Sequence, residues 1–496
     1  MILMCLAIAV STIGQNSIKK PVKTVRKPNV ILIVADDLGY SDIGVYGQKI
    51  IRTPNLDRLA NEGMRFTQYY AGSPVCAPSR CALLTGKHTG NCYIRDNEEV
   101  GEWDSYQGQM PLKANTFTIA TLFKAAGYKT ACIGKWGLGG PGSTGIPENE
   151  GFDYFYGYLC QRHAHNHYPE YLWENKEKVL LGNPSFKSHQ KIKGDPNLPS
   201  SYEAFTGSSY APELMTEAAK RYIGGNIDSA FFLCLTFTLP HLALQIPAHY
   251  LDPYKGRIPD VPYIGSNGYL PQQYPNACYA AMVSALDDYI GQITTCIKET
   301  GLDSNTLIIF TSDNGATFNI GGYDPAVFNS NGDFRAGKAT LYEGGIRVPM
   351  IIRWPGMVKP KAVSDLLCAA WDMMPTFASL TGQKIPADAD GITILPEITG
   401  NRGQRQHPWL YWEFFGNSGW QAVRINNWKI VRKHMVKDPG RRLELYDLSS
   451  DPGETKNIAA QHPDIISQAK EILWKRTKSE NMKWNFTPVP GKKKPE

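Results

Sequence analysis

The chain reads as an α/β protein: a mixed, mostly parallel sheet flanked by helices, with a smaller antiparallel sheet subdomain toward its C-terminal end. Three observations predict this. Apolar and β-branched runs at Asn29–Val34, Tyr128–Ile133, Ala230–Thr238 and Thr306–Phe310 have the texture of parallel strands buried on both faces. Segments with helical apolar spacing alternate with them: Thr116–Ala126 stopping at Gly127, Ala211–Tyr222, and Asn276–Thr300 stopping at Gly301. From about residue 400 short strands replace the long units, at Trp409–Phe414, Gln421–Lys433 and Leu443–Leu448, before a closing helix near Pro463–Lys478.

With 496 residues the chain can bury a large core and is expected to hold two subdomains, 28–400 and 401–487. Its 42% hydrophobic and 20% charged content is ordinary for a globular protein. The net charge of +6 is mild, and no basic tract of the kind that binds nucleic acid is present. The apolar run Ile2–Val10 is too short to span a bilayer and reads as the core of a signal peptide over 1–14. It lacks a positive leading segment, so the true start is expected upstream. A Lys- and Pro-rich linker covers 15–27, and 488–496 reads as a disordered tail. The expected location is the periplasm or outside the cell. The ten cysteines include no C-x-x-C pair, which excludes a zinc ribbon and a disulfide scaffold. Most sit in apolar runs as core residues, and export would permit one or two disulfides.

Polar groups recur at the ends of the predicted strands. Asp36 and Asp37 directly follow the first. A solvated turn would explain two adjacent Asp, but two carboxylates also suit a hard cation such as Ca²⁺ or Mg²⁺. Asp313 and Asn314 repeat the pattern, Lys135 follows another strand, and His241 another. Cys76 lies in a Pro- and Ser-rich turn that runs into a helix, with Arg80 one turn on. A helix N-terminus and a nearby guanidinium favour an anion, so Cys76 is a candidate nucleophile with a lowered thiol pKa; the alternative is a buried structural cysteine. An open α/β sheet gathers such strand ends into one crevice. Within Cys160–Tyr168, His163, His165 and His167 would share one face of an extended segment. No flanking Cys or carboxylate completes a zinc set, whereas a polar, aromatic face suits a sugar.

The string Cys76-x-Pro78-Ser79-Arg80 followed by Leu84-Thr85-Gly86 resembles the type I sulfatase signature without a mismatch. Asn29–Gly39, Gly134-Lys135-Trp136, Pro240-His241, Ser312-Asp313-Asn314-Gly315 and Lys338–Pro349 resemble further blocks of that family in the expected order. Leu445-Tyr446-Asp447-Leu448 resembles its C-terminal region. The resemblance covers nearly the whole chain and implies an alkaline-phosphatase-like fold. It implies that a formylglycine-generating maturation enzyme oxidises Cys76, and that the hydrated aldehyde is the nucleophile. Asp36, Asp37, Asp313 and Asn314, with the modified Cys76, would bind one Ca²⁺. Arg80 would hold the nucleophile, Lys135 and Lys338 the sulfate, and His241 would protonate the leaving alcohol.

The implied substrate is a sulfated carbohydrate of galactose or N-acetylgalactosamine type, as in exported bacterial carbohydrate sulfatases, with His88, Arg95, Asn97, Gln161, Arg162, His163 and His165 as candidate binding residues. His88 and the histidines of 163–167 are also candidates for the base that regenerates the aldehyde. Many family members carry Lys-Trp-His where this chain has Lys135-Trp136-Gly137. The rival readings are a phosphonate or phosphate ester hydrolase of the same superfamily, which tends to carry His where Asn314 stands, and a silent glycan-binding protein.

Overall fold

The computed structural model describes residues 26–102, 106–438, 440–473 and 475–486. The expected leader 1–14 and the tail 488–496 lie outside them, as does the linker apart from Arg26 and Lys27.

The predicted apolar runs form the centre of a ten-stranded sheet. Its strands in chain order are β1 (Asn29–Ala35), β2 (Met64–Phe66), β3 (Lys129–Lys135), β4 (Tyr154–Tyr158), β5 (Tyr171–Glu174), β6 (Glu177–Leu180), β7 (Phe231–Thr236), β8 (Thr306–Ser312), β9 (Met350–Arg353) and β10 (Ala362–Ser364). Across the sheet the order is β10-β2-β9-β8-β1-β7-β3-β4-β5-β6. The five central strands, β8 to β4, are parallel. β9 turns antiparallel against β8, and the β5–β6 hairpin extends the other side antiparallel. That hairpin falls in a stretch whose polar sequence predicts an irregular excursion over 172–210. Its strands are joined by a turn in which Asn175 takes the left-handed conformation, φ +52°.

Side chains of β1 alternate between two cores, as the period of two demands. Ile31, Ile33 and Ala35 join the layer holding helices α1 (Pro54–Asn61), α4 (Ala211–Gly224) and α5 (Pro275–Glu299). Val30, Leu32 and Val34 join the layer holding α2 (Cys76–Thr85), α3 (Ile119–Ala125) and α6 (Met373–Thr381).

A second sheet follows, antiparallel, of β11 (Leu410–Phe414), β12 (Trp420–Ile425), β13 (Trp428–Lys433) and β14 (Glu444–Asp447) in that order. Trp412, Ala422 and Val431 pack against Tyr70, Leu341 and Trp371 of the main body. Tyr411, Val423 and Ile430 pack against helix α7 (Pro463–Leu473). No helix among the described residues is long and apolar enough to cross a membrane. The nine described cysteines are all free thiols.

Candidate active site

Register explains why distant residues meet. Ala35 pairs with Ser312 and Gly134 with Thr236, so β1, β8, β3 and β7 end level with one another. Asp36 and Asp37, Asp313 and Asn314, Lys135, and the turn carrying His241 therefore leave the sheet at one place. Asp37 adopts φ +63°, and its N–H donates to Asp313 Oδ1 at 3.2 Å. Asp is among the few non-glycine residues that tolerate this conformation.

Helix α2 begins at Cys76 and brings its N-terminus to the same point. The Ser79 hydroxyl donates to the Asp313 carbonyl at 2.5 Å, and Asn97 Oδ1 accepts from the Ala77 N–H at 2.9 Å, satisfying a free amide of the first turn. Arg80 Nη2 meets Asp313 Oδ2 at 2.8 Å and Nη1 donates to the Lys135 carbonyl at 2.7 Å. Lys135 Nζ lies 2.6 Å from Asp36 Oδ2 and 3.4 Å from Cys76 Sγ. Lys338 Nζ lies 2.7 Å from Asp37 Oδ2 and 3.7 Å from the same sulfur. Lys338 is pinned from both sides, its own N–H bonding Ala316 O at 2.8 Å and that of Ala339 bonding Pro74 O at 2.9 Å. Asn314 Nδ2 donates to Asp37 Oδ1 at 2.8 Å.

Asp36, Asp37, Cys76, Arg80, Lys135, Asp313 and Asn314 are withdrawn from water, Lys338 nearly so, and their charges set one another. Burial alone would raise the Asp36 carboxyl, but Lys135, His241, Arg80 and Lys338 hold it well below the usual carboxylate range. Burial, with the Asp36 charge added, pushes Asp313 up to about 7 despite Arg80. Burial and the Asp36 charge push the Cys76 thiol up to about 12. The helix N-terminus does not make Cys76 a thiolate; the expectation of a lowered thiol pKa is overturned by desolvation and an adjacent carboxylate.

The donor set fits a hard cation. Ligand atoms of Asp36, Asp37, Cys76 and His241 lie within 4.8 Å of one another. Asn314 Oδ1 is buried without a hydrogen-bond partner, an arrangement that costs free energy unless something is coordinated there. Oxygen donors from three carboxylates and one amide match Ca²⁺ or Mg²⁺ rather than a thiophilic metal.

His241 faces this cluster, its Nε2 3.5 Å from Asp37 Oδ2 and its Nδ1 engaged by the Leu242 carbonyl. Burial and the Lys338 charge lower it to about 3, so it is neutral. Its loop is braced by His167, which accepts from Thr238 at 3.1 Å and donates to the His241 carbonyl at 3.0 Å. His165 stacks on His241, ring centres 4.9 Å apart. The Tyr269 N–H donates to His189 Nδ1 at 2.9 Å, so His189 Nε2 carries the proton shared with His165 Nδ1, also 2.9 Å away. His165 consequently presents Nε2–H. Sequence reasoning missed His189 and Tyr269 because both lie in irregular segments without periodicity.

The expected histidine face does not form. Residues 163–165 make a 3-10 turn, which sends the three rings in different directions. His163 packs among Tyr106, Tyr158 and Tyr171, His165 reaches His241, and His167 is fully buried. Arg162 pairs with Glu99 at 2.8 Å. Gln161 fills the space beside Gly137: a Cβ there would lie 2.7 Å from its Cγ.

His88 and Arg95 are placed elsewhere. His88 lies past the far end of α2, whose ten residues rise about 15 Å, and sits against Trp371, Trp409 and Tyr411. Arg95 is consumed by an ion pair with Glu413 at 2.7 Å, both side chains buried. Neither contributes to the crevice, which corrects their expected binding roles.

Residues 28–383 match the family model described as sulfatase, and 334–479 match that of the N-sulphoglucosamine sulphohydrolase C-terminal region. The chain is 31% identical to human arylsulfatase A over 493 residues, 90% of this chain and 87% of that protein. It is 29% identical to an N-acetylgalactosamine-6-O-sulfatase of Bacteroides thetaiotaomicron over 516 residues, 93% of each. A solved structure from work on the metabolism of multiple glycosaminoglycans by the same bacterium superposes with a TM-score of 0.71 at 27% identity, covering 90% of this chain and 99% of that one. Together with the strand-end cluster around Cys76, these matches place the chain in the sulfatase family, whose members hydrolyse sulfate esters.

Proposed function

We propose that this sulfatase removes sulfate from a sulfated carbohydrate, of N-acetylgalactosamine or galactose type, at the crevice around Cys76. The observation that carries the reading is the pair of ammonium groups, Lys135 and Lys338, that flank Cys76 Sγ at 3.4 and 3.7 Å. Two point charges on either side of one reacting atom suit an anionic tetrahedral group. The galactosamine preference is supported by the relative that acts on N-acetylgalactosamine 6-sulfate.

In this reading Cys76 is matured to formylglycine, which supplies the nucleophile when hydrated, and Ca²⁺ held by Asp36, Asp37, Asp313 and Asn314 supplies polarisation of the ester. The chain's own groups do the remaining work. Arg80 fixes the end of α2 to Asp313 and to the Lys135 carbonyl. Lys135 and Lys338 hold the sulfate oxygens. Negative charge from a bound sulfate favours the protonated form of His241. With Nδ1 tied to Leu242, its Nε2–H is the proton directed at the leaving oxygen. The net reaction consumes one water, breaks the sulfur–oxygen bond and releases the alcohol and inorganic sulfate. We further assign catalysis to 28–400, a packing subdomain to 401–487, and export to the leader 1–14.

The test compares sulfate and phosphate released from sulfated and phosphorylated sugars by the wild type and Cys76→Ala, after mass spectrometry of the position-76 peptide. Sulfate release by the aldehyde-bearing protein alone is expected. Phosphate release without sulfate release, or equal rates in the two proteins, would overturn the reading. Independently, Ca²⁺ is expected to raise the melting temperature of the wild type and leave that of Asp37→Asn unmoved.

A further inference from the structure

The β5–β6 hairpin carries a surface that the reaction does not use. Tyr171 and Trp173 are two residues apart on β5 and so share a face, while Leu172 between them is fully buried. Lys178 pairs directly with Trp173 across the hairpin, its ammonium 4.1 Å from the Tyr171 ring centre and 5.4 Å from that of Trp173. Trp173 is half-buried and Lys178 exposed. Together with Tyr106, Gln107 and Gln109 they line a cavity of about 520 Å³, a size typical of small-molecule sites. Gly142, at φ +74° with nothing within 4 Å of a Cβ placed there, leaves its rim open.

This cavity is coupled to the crevice by two side-chain paths. Tyr106 stacks on His163 with ring centres 5.0 Å apart, and His163 shares a single turn with His165, which stacks on His241. On the other path, Gln109 Oε1 accepts from the Gln161 N–H at 2.7 Å, and Gln161 lies against Gly137, two residues beyond Lys135. Packed side chains therefore link the cavity to the residues of the crevice.

Its chemistry combines aromatic faces for the apolar side of a sugar ring, the exposed Gln107 carboxamide for a hydroxyl, and an exposed ammonium for an acidic substituent. We infer that the groove of Tyr106, Gln107, Tyr171, Trp173 and Lys178 binds a second sugar residue, anionically substituted, next to the one whose sulfate is hydrolysed. The substrate is thus an acidic oligosaccharide or polysaccharide rather than a free sulfated monosaccharide. This rests on the carbohydrate reading above and adds the chain length of the substrate and the residues that measure it.

Calorimetric binding separates the two claims, because it needs no turnover. The parent is the full chain with Cys76→Ala. The probes are N-acetylgalactosamine 6-sulfate and acidic oligosaccharides of two, four and six residues ending in it. The parent is expected to bind the hexasaccharide at least tenfold more tightly than the monosaccharide. Trp173→Ala and Lys178→Ser are each expected to remove most of that gain while changing monosaccharide affinity less than twofold. Lys178 is exposed, so its variant keeps the fold intact should Trp173→Ala disturb the hairpin. Equal affinity for monosaccharide and hexasaccharide, or loss for both ligands alike in Lys178→Ser, would overturn the inference. Groove-dependent hexasaccharide binding by a protein whose aldehyde form frees sulfate from none of these probes would retire the sulfatase reading and leave the groove as a glycan site.

Discussion

Lys135 stands between Asp36 at 2.6 Å and Cys76 Sγ at 3.4 Å, fully withdrawn from solvent. A charge preorganised in a dry site is worth far more than one in water. Lys135→Ala is therefore expected to lower the turnover number for sulfate release by about 10²–10³-fold, the range found when one transition-state donor is removed. A decrease within threefold in steady-state kinetics would remove Lys135 from the sulfate site. Gly137 poses the opposite case, a position where a side chain does not fit. Its φ is +77° and Gln161 occupies the volume a Cβ would enter. Gly137→His is expected to lower the melting temperature and to displace Gln161 rather than restore the His found there in many sulfatases. An unchanged melting temperature would count against this. At this scale the cluster was legible where a residue directly follows an apolar strand, because strand ends converge whatever the loops do. His88 and Arg95 were misread because their partners, Trp371, Tyr411 and Glu413, lie some 300 residues away in sequence, and local sequence carries no trace of them.

Glu413 of β11 holds the antiparallel sheet to the rest of the molecule. It receives Arg95 at 2.7 Å and Arg476 at 2.6 Å, and the Tyr411 hydroxyl donates to it at 2.8 Å. Glu413 is fully buried and Arg95 nearly so. Removing one partner of such a cluster strands a buried charge, which costs about 3–5 kcal/mol. Glu413→Ala is accordingly expected to lower unfolding free energy by about that much, with Glu413→Gln less affected because it keeps an acceptor. Denaturant titration reading under 1 kcal/mol for the alanine variant would show the ties to be superficial. Four of the five central parallel strands were readable as apolar runs and β4 was not; in this sheet the stretch Gln421–Lys433, which reads as one strand, folds as two, β12 and β13. The β5–β6 hairpin was not readable either, because only Tyr171, Leu172, Trp173, Val179 and Leu180 interrupt a polar run and no long apolar stretch marks its strands. Its existence depends on β4 offering an edge, which is a property of the fold.

Over the whole molecule, α5 is stitched to the loop after β1 and to α1 by buried carboxyls without a cationic partner. Asp42 accepts from the Gly39 N–H at 2.8 Å and from the Tyr279 hydroxyl at 2.6 Å, and Tyr279 stacks on Tyr323 with ring centres 3.8 Å apart. Asp287 accepts from the N–H groups of Asn55 and Leu56 at 3.1 and 2.7 Å, tying α5 to the start of α1. Burial raises each to about 6, against hydrogen bonds that pull the other way. A carboxyl raised in the folded state stabilises the fold fully below its unfolded value near 3.8, and that contribution is lost as pH rises through about 6. For Asp42 the shift corresponds to about 3 kcal/mol. Asp42→Asn keeps an acceptor for both donors and carries no charge at any pH. Its stability relative to the wild type should therefore improve between pH 4 and pH 7 by about 2 kcal/mol. Denaturant titrations of both proteins across that range measure the difference directly. A difference that stays flat with pH would mean that Asp42 is ionised in the folded protein at pH 5, with its charge met by the hydrogen bonds of Ser330, Tyr279 and Gly39.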